Sequence, residues 1–116
     1  MDTEKLKSLV IHQLEELKAR DLKLLDVSSL TSITDYMCIC SGTSNRHVKS
    51  MATSLVQAVK EAGLKPVGVE GEDSAEWVLV DLGDVIVHLM LPATRDFYQL
   101  EKLWDVNWAQ ASSRSN

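Results

Sequence analysis

Tyr36-Met37-Cys38-Ile39-Cys40-Ser41-Gly42-Thr43-Ser44-Asn45-Arg46-His47-Val48 is the stretch on which the fold turns. Tyr36 to Ser41 is an apolar run of strand length, and Gly42-Thr43-Ser44-Asn45 breaks it. Beyond the break Val48, Met51, Ala52, Leu55, Val56 and Val59 recur at helical spacing, with Ser44 as N-cap and Gly63 as the C′ residue. Another strand follows at Pro66 to Glu70, so the helix between the two strands points to a parallel crossover. Working back toward the N-terminus, Ser28 to Asp35 is a polar connection and Leu22 to Val27 a strand. Leu6, Leu9, Val10, Leu14 and Leu17 predict an amphipathic helix over Thr3 to Arg20, capped by Asp2 or Thr3. Working forward, Gly71-Glu72-Asp73-Ser74 is a loop. Glu76 to Leu82 and Asp84 to Met90 form an antiparallel hairpin around Gly83. Phe97, Leu100, Leu103 and Trp104 lie on one side of a last helix. The order α-β-β-α-β-β-β-α predicts an α/β fold with a mixed five-stranded sheet and flanking helices. Residues 1–105 are expected to form the domain and 106–116 a frayed, disordered tail.

Of 116 residues, 45% are hydrophobic and 25% charged, as in chains that fold around a core. At this length folding hides roughly two thirds of the surface without a stapling metal or disulfide. The most apolar stretch, Val85 to Leu91, contains His88 and falls far short of the roughly 20 residues of a membrane span. The start, Met1-Asp2-Thr3-Glu4-Lys5, has neither the basic apolar pattern of a secretory signal nor the composition of a transit peptide, so a cytoplasmic location is expected. Cys38 and Cys40, two apart in an apolar strand, are poorly placed to bridge and are expected as buried, reduced thiols.

Seventeen acidic residues against 12 basic ones give a net charge of −5, the wrong sign for holding nucleic acid through its phosphates. The acid is concentrated: from Pro66 through Thr94 there is no Lys or Arg, while Glu70, Glu72, Asp73, Glu76, Asp81 and Asp84 all fall there. A solvated rim and a docking surface for a basic partner both account for this local field.

Gly42-Thr43-Ser44 and Asp81-Leu82-Gly83-Asp84 superficially match a nucleotidyltransferase-like site, where a turn holds phosphates and paired carboxylates hold Mg²⁺. Carboxylates that share a metal from one strand sit at i and i+2, whereas Asp81 and Asp84 straddle a glycine turn. Gly42 also lacks the continuation of a phosphate loop. Zinc would need a second ligand pair beside Cys38 and Cys40, and His12, His47 and His88 are isolated from one another. A cysteine nucleophile is disfavoured because burial disfavours the thiolate. No catalytic, metal or cofactor-binding residue is therefore assigned. His88 alternates with Val87 and Leu89 and is expected to be hydrogen-bonded and partly buried. His47, in the first turn of the second helix, is expected to be exposed. Trp77 opens the hairpin inside the acidic stretch, where it is either core or an interface anchor. Tyr98 fits the same surface, a dimer contact or the core edge.

Ser32-Ile33-Thr34-Asp35-Tyr36, Cys40 to Val48, Gly68 to Val78 and Val80 to His88 together resemble the ribosomal silencing factor, or Iojap-like, family. The resemblance runs from about Met1 to Trp104, with the four blocks in order and at unbroken spacing. It implies a mixed five-stranded sheet related to the nucleotidyltransferase fold without its catalytic carboxylates. It also implies a translation factor that is not an enzyme and uses no cofactor. Such a factor binds the large ribosomal subunit through ribosomal protein L-fourteen, prevents the small subunit from joining, and slows translation when nutrients are short. The partner surface implied by the resemblance falls on Glu70, Asp73, Trp77, Asp81, Leu82 and Asp84, and extends to His88 and Tyr98. An exposed Trp77 makes a homodimer of the free chain the structural alternative.

Overall fold

The computed structural model describes residues 1–104. Helix α1 (Thr3–Glu16) is followed by strands β1 (Arg20–Asp26) and β2 (Tyr36–Ser41), then by helix α2 (Asn45–Glu61). Strands β3 (Gly68–Glu70), β4 (Trp77–Asp81) and β5 (Val85–Met90) come next, and two short helices, α3 (Pro92–Tyr98) and α4 (Leu100–Trp104), end the described chain. The five strands form one sheet in the order β1-β2-β5-β4-β3. β2 runs parallel to β5, from Tyr36 opposite Val85 to Ser41 opposite Met90, and every other pair is antiparallel. The crossover predicted from α2 is present, but it skips two positions. The chain leaves β2, lays α2 on the sheet, starts again at the far edge as β3, and fills the gap with the β4–β5 hairpin.

Strand alternation sorts side chains onto two faces. Cys38, Cys40, Val78, Val80, Val85, Val87 and Leu89 meet Leu6, Val10 and Leu14 of α1 and Val48, Met51, Leu55 and Val59 of α2 in the main core. Met37, Ile39 and Met90 face the other way and form a smaller cluster with Val27 and the partly buried Leu25, Trp77 and Leu100. Cys38 and Cys40 are free and fully buried, and burial pushes the Cys40 thiol up to about 12 and Cys38 higher still. Both are packing residues at neutral pH.

Helix ends are set by specific hydrogen bonds. Asp2 caps α1 by accepting from the Lys5 N–H at 2.8 Å, and Ser44 caps α2 by accepting from the His47 N–H at 3.1 Å. α2 closes as predicted, with Gly63 at φ 91° and Leu64 N–H donating to the Val59 carbonyl. α1 closes in the same way, four residues before the predicted Arg20. Ala19 N–H donates to Leu14, Lys18 N–H donates to Glu15, and Lys18 takes the left-handed position at φ 62°. The missing glycine concealed this stop. β1 consequently begins at Arg20 rather than Leu22 and carries an irregularity between Arg20 and Lys23.

Two further expectations are corrected. The single last helix is two, because Gln99 adopts φ 49°, ψ 47° and breaks the helix between them. Of its apolar side, Leu100 packs on the smaller core whereas Phe97 is 80% and Leu103 64% exposed. His47 is half-buried rather than exposed: its Nδ1 accepts from the Thr43 N–H at 2.9 Å while Nε2–H donates to the Leu17 carbonyl at 2.8 Å. It thereby ties the end of α1 to the start of α2. The expected tail, 106–116, lies outside the described residues.

Because Lys18 holds a conformation that costs an L residue about 1 kcal/mol or more relative to glycine, Lys18→Gly is expected to stabilise the chain. The check is a urea midpoint raised by roughly that free energy with an unchanged m-value.

Candidate functional site

On the face opposite α1 and α2, Met37, Ile39, His88 and Met90 are buried while Trp77, Leu79, Asp81 and Ile86 are half-buried, so Trp77 stands at the border of the covered part. β4 alternates so that Val78 and Val80 enter the main core while Trp77, Leu79 and Asp81 face the other way. Trp77 pairs with Met90, Leu79 with His88, and Asp81 with Ile86. Glu70 and Gly68 of the edge strand β3 stand beside Leu79 and Asp81. The turn before Trp77 requires Gly71: its φ is 90°, and a Cβ there would run into the Trp77 carbonyl oxygen. Ala75 N–H closes this turn on the Gly71 carbonyl at 3.0 Å.

Trp77 spends its polar group inside the chain. Its Nε1–H donates to His88 Nδ1 at 2.9 Å, and the two rings lie 5.8 Å apart. Tyr98 from α3 leans against Trp77 with ring centroids 5.0 Å apart, and Phe97 meets Tyr98 edge-on at 4.9 Å. Tyr98 is 54% exposed, so this aromatic row runs from a buried histidine outward to solvent. A tryptophan held in this way offers a partner its apolar ring and no donor.

His88 is 5% exposed, and burial lowers its pKa to about 4. It is neutral at pH 7. Because Nδ1 accepts, the proton sits on Nε2, which has no partner among the described residues.

The structure brings Trp77, His88 and Tyr98 together, and Asp81 and Glu70 share their face. Asp81 is oriented by the Gly83 N–H, which donates to its Oδ1 at 2.9 Å. Asp73 is exposed in the adjoining loop, whose Ser74 carbonyl accepts from Asn45 Nδ2 at 2.8 Å. Two residues of the expected surface stand apart. Leu82 is 3% exposed and belongs to the main core, and Asp84 sits at the far turn, where it accepts from Thr3 Oγ1 at 2.7 Å. Leu79 and Phe97 belong to the face although the sequence reading did not assign them. The i, i+2 relation to Trp77 was enough to find Leu79, whereas the break at Gln99 hid Phe97. Among the described residues no group of His, Cys, Asp and Glu gathers to hold a metal, and no helix is long and apolar enough to cross a membrane.

The family model described as "Ribosomal silencing factor during starvation" matches residues 1–116, past the Trp104 limit of the expected resemblance. The chain belongs to this family. A ribosomal silencing factor of Chromobacterium violaceum is 50% identical over 104 residues, covering 90% of this chain and 85% of the relative. The crystal structure of a C. violaceum protein, 50% identical, superposes with a TM-score of 0.88 over 90% of this chain and 87% of that one. A mouse protein named "Mitochondrial assembly of ribosomal large subunit protein 1" is 40% identical over 99 residues, covering 83% of this chain and 43% of its own length.

The His88 pKa has a consequence for stability. It lies below the ordinary value of about 6.5, so as pH falls the unfolded chain takes up the proton first. The contribution is complete above about pH 6.5 and is lost progressively toward pH 4, by about 3 kcal/mol at most. Urea unfolding at pH 7.0, 5.5 and 4.5 is expected to show this decline in the native sequence and a shallower one in His88→Gln.

Proposed function

We propose that the chain binds the large ribosomal subunit through ribosomal protein L-fourteen and keeps the small subunit from joining, which represses translation when nutrients are scarce. The observation that carries this reading is the Trp77–Tyr98 pair on a sheet face left open by the two long helices. Trp77 is pinned by His88, Tyr98 is more than half exposed, and Glu70 and Asp81 stand on the same face with Asp73 beside it. A pre-ordered aromatic anchor needs little further ordering on binding, and surrounding acid favours a basic partner. Membership of a family described by ribosomal silencing during starvation supports the process. The name of the mouse relative supports the large subunit as the target.

The block requires no chemistry. The described residues measure 46 × 32 × 21 Å, a body large enough to hold two particle surfaces apart once it is seated between them. No bond is made or broken in this reading, and no cofactor takes part. Leu82 lies in the main core and Asp84 holds the start of α1 at the far turn, so the contact face of this reading is built without them. Kinship with the nucleotidyltransferase fold is part of the same proposal: Gly42-Thr43-Ser44 leads from β2 into α2, while Asp81 and Asp84 engage Gly83 and Thr3.

Sedimentation of the pure chain with separated subunits is the direct test. The chain is expected to pellet with the large subunit alone and to reduce joined particles when the small subunit is added; free joining at full occupancy would refute the block. Tyr98→Ala and Trp77→Ala are each expected to weaken binding by about 2 kcal/mol or more. Replacing both Glu70 and Asp81 by Lys is expected to slow association at low salt and to flatten its salt dependence, as stopped-flow measurement would show.

A further inference from the structure

Among the described residues, the segment that carries Phe97 and Tyr98 has little apolar attachment. α3 has seven residues and α4 five, lengths at which a helix is not stable by itself. Phe97 and Leu103 are exposed, and Leu100 of α4 packs on the smaller core. Between the two helices Gln99 holds a left-handed conformation without the help of glycine. Something else must fix the corner on which Tyr98 stands.

Arg95 is placed to do so. It is 7% exposed, the first Lys or Arg after Lys65, and from α3 it reaches across the break at Gln99. Its Nε–H donates to Glu101 Oε1 at 3.1 Å across Gln99, and its Nη1–H donates to Ser41 Oγ at 3.2 Å. Ser41 is 2% exposed and ends β2, opposite Met90, which in turn pairs with Trp77. One guanidinium thus joins α3, α4 and the end of the sheet that bears Trp77. Among the described residues Glu101 Oε2 is buried without a partner, and Arg95 is the cation that meets this carboxylate. A partly buried ion pair of this kind adds little net stability compared with apolar packing, but its geometry is directional.

We propose that the Arg95–Glu101–Ser41 linkage is a positioning device that sets Tyr98 against Trp77, so that affinity for the partner depends on residues the partner does not touch. This rests on the reading of the Trp77 face as the contact surface. Arg is required rather than Lys, because a forked donor can serve Glu101 and Ser41 at once and a single ammonium cannot hold both directions.

The test pairs a signature of alignment with an affinity. The Trp77 indole N–H resonance, assigned with Trp77→Phe, reports the hydrogen bond to His88 beside Tyr98, and sedimentation reports binding to the large subunit. Arg95→Met and Glu101→Ala are expected to move that resonance and to weaken binding about tenfold or more while far-UV circular dichroism keeps its native shape. Arg95→Lys, which keeps the charge and one arm, is expected to fall between them and the native chain. Native affinity or an unmoved resonance in folded Glu101→Ala overturns the inference, and that variant decides the matter if Arg95→Met fails to fold. Failure of the underlying reading appears elsewhere: the unsubstituted chain would then ignore the large subunit.

Discussion

Strand β5 is hydrogen-bonded on both sides, to β2 in parallel and to β4 in antiparallel register, and this double pairing leaves its side chains only two directions. Val85, Val87 and Leu89 enter the core under α1 and α2, so Ile86, His88 and Met90 must appear on the opposite face. A one-residue slip would exchange the two sets and bury His88 under the helices. The same register brings Leu79 beside His88 and Trp77 beside Met90. The hairpin that makes the core therefore also makes the open face.

On that face a polar problem is solved within the chain. A tryptophan half-buried on a sheet needs an acceptor for its N–H, and a buried histidine needs a reason to stay neutral. The Trp77–His88 bond meets the first need, and the burial of His88 meets the second. What remains for a partner is an aromatic surface held in place, with carboxylates near it. Rigidity here comes from the sheet for Trp77 and His88. For Tyr98 it comes from an ion pair, because the helices that carry it are too short to hold themselves.

The legible parts of the molecule were those in which local pattern and global fold agree. Tyr36–Ser41 as a strand, Ser44 as a cap, Gly63 as a stop and the β4–β5 hairpin followed from the chain itself, since each depends on residues within a few positions of one another. The misread parts share a different cause. Lys18 and Gln99 adopt left-handed conformations that sequence assigns to glycine, so α1 ran too long and one helix was expected where two exist. His47 was expected in solvent because its partner, the Leu17 carbonyl, becomes a neighbour only when α1 packs beside α2. Leu82 lies within the family block yet falls in the core, because a motif fixes spacing along the chain and not the face on which a side chain emerges.

Sequence alone determined that the chain is a mixed α/β domain of the ribosomal silencing family, with acid gathered around Trp77, since composition, periodicity and block order are properties of the string. Tertiary structure alone decided that Trp77 gives its N–H to His88, that β3 takes the edge before β4 fills the gap, and that Arg95 reaches both Glu101 and Ser41. These are contacts between residues far apart in the chain, and they exist only after the sheet has chosen its order and register.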